Sequence, residues 1–217
     1  MMALVENSHD GKAERSNPST PLNCRKNAYS VTRIISDNPT ASGLLWAQER
    51  GLNTVALPDR GSFSSKKEFY SYLLDRVLEV SPTLICLAGF MKVLPPVLIA
   101  PLFPKIINIH PSLLPAFPGL NTHERALAAN ATRHGCSIHV VVPEIDAGPI
   151  VAQAAVDIEP NDSPESLSER VLKIEHGIYP WVVSMICCGE ILLGERVSFS
   201  ELARAEASSR GYLLPPA

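Results

Sequence analysis

Short apolar runs alternate with amphipathic stretches along most of the chain from residue 31 onward. Segments 31–36 (VTRIIS), 52–57 (LNTVAL), 83–89 (TLICLAG) and 105–110 (KIINIH) read as strands, each apolar or β-branched and bounded by turn formers. Between them, 42–51 (SGLLWAQERG) reads as a short helix stopped by Gly51. Ser65 and Glu68 form a capping-box pair for a helix reaching about residue 80. Pro95 and Pro96 suit the first turn of another helix, and 122–131 (THERALAANA) makes a further one. The near-continuous apolar run at 83–89 fits a strand covered on both faces. This alternation, which holds to about residue 131, predicts βαβ units and a mainly parallel sheet. Beyond it, 136–142 (CSIHVVV) and 149–158 (PIVAQAAVDI) read as two strands joined by the turn EIDAG. Asp162-Ser163-Pro164-Glu165 opens a long helix that Pro180 should kink or end, and 190–199 (EILLGERVSF) resembles a small hairpin.

Residues 1–30 break the pattern. Between Glu6 and Thr20 only Ala13 is apolar, so composition predicts a flexible arm, preceded by an apolar stub of strand at 1–5 (MMALV). The expected organisation is an arm at 1–30, one α/β domain at 31–200 and a tail at 201–217. The 217 residues are 46% apolar and 19% charged, enough for a core and too apolar for wholesale disorder. A net charge of −3 argues against a nucleic-acid or anionic-membrane binder, and no apolar run is long enough to cross a bilayer. The first residues lack the pattern of a secretory signal. The odd set Cys24, Cys86, Cys136, Cys187 and Cys188, without a CxxC, suits buried reduced thiols in a cytoplasmic protein. His134, Cys136 and His139 have no second cluster to complete a metal site, so no metal is expected.

In open α/β sheets the site lies at the C-terminal ends of strands. That rule directs attention to 89–92, 108–111 and 144–148. Asn108 and His110 end a strand two positions apart and so share a face. His exchanges protons near neutral pH, and the Asn amide is an uncharged donor suited to an oxyanion. An Asn-x-His pair equally suits a structural hydrogen-bonding role. Asp146, in the following turn, either faces the imidazole across the site or bonds its own backbone.

Four blocks, LAGFMKVL (87–94), INIHPSLLPAFPGLNTHERAL (107–127), GCSIHVVVPEIDAGPIVAQAAV (135–156) and KIEHGIYP (173–180), make the chain resemble the folate-dependent phosphoribosylglycinamide formyltransferases from about residue 31 to 197. The resemblance implies a three-layer Rossmann-like fold. It also implies transfer of a formyl group from the cosubstrate 10-formyltetrahydrofolate to the amine of glycinamide ribonucleotide in purine synthesis, in the cytoplasm, with no permanently bound cofactor and no metal. It assigns His110 as the proton shuttle, Asn108 as the oxyanion donor and Asp146 as the carboxylate that tunes the histidine. It places Met91, Lys92, Val93 and Leu94 on one side of the folate, and Val142, Pro143, Glu144, Ile145 and Asp146 on the other. Asn108 also touches the cosubstrate in this reading. Lys66 matches a family Arg near the folate tail, Glu175 matches a carboxylate that holds the substrate, and His123 and His139 fall on positions near the site. The resemblance admits a homodimer.

The chain departs from the family at its start. The family's first strand leads into a Gly-rich loop whose amides hold a phosphate, whereas this chain reads His9-Asp10-Gly11-Lys12-Ala13-Glu14-Arg15 at the matching distance. The arm is about as long as the element it replaces, as a local change of reading frame would leave it. Lys12 and Arg15 are the cations nearest the missing loop in sequence. Two other activities stay open on the sequence: hydrolysis of 10-formyltetrahydrofolate, and folate binding without catalysis.

Overall fold

The computed structural model describes residues 1–8, 28–90 and 92–216. The arm's central part, including the His9–Arg15 stretch and Cys24, and the folate-side Met91 lie outside them. The apolar start forms a helix, α1 (Met2–Glu6), where a strand stub was expected. Its Leu4 is buried and its Leu4 carbonyl accepts a hydrogen bond from the Tyr29 hydroxyl at 2.8 Å, so anchoring to residue 29 and to the core holds it.

Strands β1 (Ile34–Ser36) and β2 (Thr54–Ala56) pair in parallel through the helix α2 (Ser42–Glu49), which ends beside Gly51 at φ +69°. Helix α3 (Lys66–Leu78) begins at Ser65, whose hydroxyl accepts the Glu68 N–H at 3.1 Å. The reciprocal half of the box goes to Ser64 instead, whose N–H and hydroxyl both donate to the Glu68 carboxylate. Strand β3 (Ile85–Leu87), helix α4 (Pro96–Ile99) and strand β4 (Ile106–His110) form a second parallel unit. Helix α5 (Thr122–Ala128) then leads to the antiparallel hairpin of β5 (Arg133–Val140) and β6 (Ile150–Asp157), with β5 also antiparallel to β4. The central sheet β3-β4-β5-β6 is therefore mixed. The parallel pairs are those the helix alternation implied, and the β5–β6 pair is antiparallel because the EIDAG turn is too short for a crossover; the antiparallel β4–β5 pair departs from the expectation, its helical connection through α5 notwithstanding.

Helix α6 (Pro164–Cys187) starts at the expected cap, Ser163, but Pro180 does not end it. Pro180 is buried in the packed face, and seven further residues continue the helix. The short pair β7 (Ile191–Leu192) and β8 (Ser198–Phe199) is the expected hairpin. In the region read as a tail, α7 (Glu201–Arg210) buries Ala203 and Ala207, and Leu213 bridges to Gln153 on β6.

Two cores sandwich the sheet. Ile107, Ile138, Val140 and Val151 pack against Val171, Ile178 and Val182 of α6 on one face. Ile106 packs with Phe69, Leu73 and Val77 of α3 and with Leu98 and Ile99 on the other. This three-layer arrangement explains why the strand runs are apolar on both faces. Cys86 and Cys136 sit within it, and burial pushes the Cys86 thiol up to about 12. Cys187 and Cys188 are exposed, against the expectation of buried thiols, because they end the long helix at the surface.

Candidate active site

Alternation along β4 sorts its side chains. Ile107 goes to the α6 core and Ile106 to the α3 core, so Asn108 and His110 share the Ile106 face. On β5, Cys136, Ile138 and Val140 face α6, which turns Ser137 and His139 to the same side as Asn108 and His110. The register sets Asn108 opposite His139 and His110 opposite Ser137. Four polar side chains are thus brought together by strand pairing alone.

Asp146 completes the group from the β5–β6 turn. Its Oδ2 lies 3.4 Å from His110 Nδ1 and its Oδ1 lies 3.6 Å from His139 Nε2. The carboxylate also accepts the Gly119 N–H at 2.8 Å, which ties the proline-rich loop to the turn. Asp146 itself has φ +51°, a conformation the turn imposes. Gly148 makes the turn feasible, since a Cβ there would stand 1.7 Å from the Val140 carbonyl oxygen. Of the two readings left open for Asp146, the one facing the imidazole is the geometry observed.

His110 Nε2 lies 3.0 Å from the Phe117 carbonyl, which can only accept, and Nδ1 faces the Asp146 carboxylate. His139 meets different partners. Its Nδ1–H donates to the Val140 carbonyl at 3.1 Å, leaving Nε2 to accept from the Asn108 amide at 3.2 Å. Burial pulls the His139 pKa down, more than the Val140 carbonyl and Asp146 raise it, so the ring is held neutral. The neutral ring orients the Asn108 NH₂, which keeps its second N–H for another acceptor.

Ser137 and Gln153 also serve the site, and sequence reasoning passed over both. The Ser137 hydroxyl donates to the Ser112 carbonyl at 2.6 Å and accepts the Leu114 N–H at 2.9 Å. The Gln153 amide donates to Ser137 Oγ and to the Leu114 carbonyl. Together they fix the loop that follows His110. The only signal in the sequence was a polar residue at alternate positions of two otherwise apolar strands.

Other expected residues are distributed as follows. Leu94 is buried in the core that also holds Phe90 and Val141. Val93 and Ile145 are each 59% exposed. Pro143 and Glu144 are exposed and Val142 half-buried beside them. Lys92 is exposed and ion-pairs with Asp37 across a cavity of about 230 Å³ lined by Asp37, Asn38, Gly89, Phe90 and Lys92. That cavity lies at the C-terminal ends of β1 and β3. Lys66 is exposed at the first position of α3, with no described contact to the His110 group. Glu175 is on α6 and likewise not in that group; burial pushes its carboxyl up to about 7, with the chain's amino terminus opposing the shift. His123 stacks edge-on to His134, ring centroids 5.0 Å apart. Burial, and then the neighbouring His123, pulls His134 down to about 4. Among the described residues no group of His, Cys, Asp and Glu could hold a metal ion.

An uncharged amide, an imidazole and a carboxylate converging at a strand end form the polar equipment of an acyl- or formyl-transfer site. The formyl transferase family model matches residues 16–183, and the chain belongs to that family. Its relatives narrow the class. It is 34% identical over 195 residues to phosphoribosylglycinamide formyltransferase of Escherichia coli (strain K12), covering 89% of this chain and 87% of that one. It is 40% identical over 166 residues to the trifunctional purine biosynthetic protein adenosine-3 of Gallus gallus, a match over 76% of this chain and only 16% of that longer protein. The structure of the Coxiella burnetii phosphoribosylglycinamide formyltransferase superimposes with a TM-score of 0.75 at 42% identity, covering 79% of this chain and 81% of that one. Within the family, the chain's branch is that of the phosphoribosylglycinamide formyltransferases.

Proposed function

We propose that the chain transfers the formyl group of 10-formyltetrahydrofolate to the primary amine of glycinamide ribonucleotide at the Asn108–His110–Asp146 group. The observation that carries this reading is the placement of Asp146 between the two histidines, with Asn108 held by one of them. The amine attacks the formyl carbon and its carbonyl oxygen gains negative charge. Asn108 uses its free N–H for that oxygen, an interaction worth roughly 3 kcal/mol in the transition state. The His110 imidazolium then delivers a proton to N10 of the departing folate as the carbon–nitrogen bond breaks. The proton lost by the attacking nitrogen returns to the ring, with Asp146 holding the imidazolium in place.

The exposed Val93 and Ile145 offer apolar surface for the flat pterin, and backbone groups of 142–146 offer it hydrogen bonds. His139 acts as a positioning residue through Asn108. Glu175, with its raised pKa, is the proposed contact for the substrate's amine or ribose. Lys66 is the proposed partner of the folate tail as a single charge rather than a bidentate one. A cytoplasmic location accords with the substrates. Among the described residues no helix is long and apolar enough to cross a membrane.

The test mixes the protein with 10-formyltetrahydrofolate, with and without the ribonucleotide, and follows release of tetrahydrofolate. Turnover only when the amine is present is the expected outcome. Release of formate without the amine would reassign the site to hydrolysis. Absence of turnover, with thermal stabilisation by the folate alone, would mark a binding protein.

A further inference from the structure

The loop that follows β4 has two halves, and they are held differently. In the first, the Ser112 hydroxyl donates to the Ala116 carbonyl at 2.7 Å, and the Leu114 N–H donates to Ser137 Oγ at 2.9 Å. Ser112 and Leu114 are buried, so this half is anchored to β5 from beneath. The second half, residues 117–120, supplies both loop contacts of the site. The Phe117 carbonyl lies 3.0 Å from His110 Nε2, and the Gly119 N–H donates to Asp146 Oδ2 at 2.8 Å. Yet this half runs along the surface, with Pro118 and Leu120 exposed. Its backbone is also unusual. Phe117 has φ +54°, Gly119 +78° and Asn121 +56°, three left-handed residues in five. A residue with a side chain keeps that conformation only where its surroundings hold it.

One side chain does most of the holding. Arg125, on α5, donates from Nη1 to the Pro118 carbonyl at 2.5 Å and to the Leu120 carbonyl at 3.2 Å. Its guanidinium carbon stands 5.7 Å from the centre of the Phe117 ring, whose other neighbour is the His134 ring at 6.1 Å. Among the described residues, 117–120 make no hydrogen bond besides these two and the two site contacts. Asn121, at the entrance to α5, gives the helix no side-chain cap and so does not tie the loop either. Arg125 itself stands on firm ground, because Thr122 and Ala126 seat α5 in the interior at 3% and 0% exposure. The guanidinium therefore clasps Phe117, Pro118 and Leu120, and the residue left between them, Gly119, is the one that reaches Asp146.

We propose that Arg125 is a positioning residue for the reaction proposed above: by clasping residues 117–120 it sets the Phe117 carbonyl against His110 and the Gly119 N–H against Asp146. The proposal rests on the formyl-transfer reading of that site. Arg125 touches none of the reacting side chains and acts through the loop alone. A planar fork suits the task. It presents two N–H groups from one nitrogen to two carbonyls while its charge lies toward an aromatic ring, which a lysine ammonium on a flexible stem does less well. Without the clasp, the left-handed stretch loses the contacts that offset its strain, and the imidazole and carboxylate each lose one fixed partner.

The experiment uses the full chain with R125M, which keeps an apolar stem and removes every donor, and with R125K, which returns donors without the fork. Steady-state transfer to the ribonucleotide gives kcat and the folate KM, and amide hydrogen exchange is read at Gly119 and Leu114. In R125M, kcat should fall about fivefold to tenfold with the folate KM within about twofold of the parent. Gly119 exchange should quicken at least about tenfold while Leu114, still held by Ser137, keeps its rate. R125K should fall between the parent and R125M in both kcat and Gly119 exchange. Equal acceleration at Gly119 and Leu114 would overturn the proposal, by reducing Arg125 to a general contribution to stability. Unchanged Gly119 exchange would also overturn it, and so would a freed Gly119 with kcat unaltered. The exchange measurement needs no turnover. Failure of the formyl-transfer reading would appear as a parent chain without transfer, whereas failure of the clasp would appear at Gly119 whether or not the parent turns over.

Discussion

At the scale of single residues, the two site histidines differ in the partners their ring nitrogens meet. His110 faces an oxygen at each ring nitrogen, whereas His139 donates to one carbonyl and accepts from an amide. Replacing His139 with Phe leaves the Asn108 amide without its acceptor. The expected effect is a fall in kcat of roughly tenfold with little change in folate affinity. Steady-state kinetics of H139F, with H139Q as a partial rescue through its carbonyl oxygen, checks it. Replacing Asn108 with Ala should cost more, about a hundredfold in kcat, since the oxyanion donor itself is lost. His134 makes a stability prediction. Its pKa is depressed to about 4 against a free value of 6.5, so the unfolded state binds the proton first. The stability this confers is present above pH 6.5 and is lost as pH falls toward 4. Its ring nitrogens are buried and have no hydrogen-bond partner among the described residues. Denaturant titrations of H134L should show a flatter decline between those pH values than the parent chain.

At the scale of elements, strand pairing decides the site more than any single motif does. The alternation that puts Asn108 and His110 on one face was legible from residue spacing, and so was the turn between β5 and β6. The contact between Asn108 and His139 was not legible, because it depends on the β4–β5 register, which no local pattern encodes. Ser137 and Gln153 were missed for the same reason: each looks like an isolated polar residue until the partner strand is in place. Pro180 was expected to kink or end α6 because a proline removes one backbone bond, and it does not end it. Burial of both flanking turns of α6 outweighed that loss. The apolar stub at the start became helix α1, which is held by burial of Leu4 in the core and by the Tyr29 hydroxyl on the Leu4 carbonyl. The turn carrying Asp146 supplies the test at this scale. A methyl group at Gly148 would collide with the Val140 carbonyl, so Gly148→Ala must part the hairpin or move the turn. The expected cost is at least about 2 kcal/mol in urea unfolding, with turnover lost further than stability accounts for.

At the scale of the whole molecule, an α/β scaffold carries a polar cluster at a strand end, and among the described residues β1 and β2 pair apart from the β3-β4-β5-β6 sheet. The resemblance carried by four sequence blocks anticipated the fold and the family, since those blocks form the strand ends and the loops around them. The blocks begin well after the expected arm at 1–30, whereas the family model already matches from residue 16.

The account rests on proton delivery by one imidazole, and single-turnover formyl transfer by His110→Ala tests it most directly. With folate binding measured alongside by thermal shift, the variant should transfer the formyl group at least about a hundredfold more slowly than the parent while binding the folate nearly as well. Transfer at the parent's rate would contradict the account.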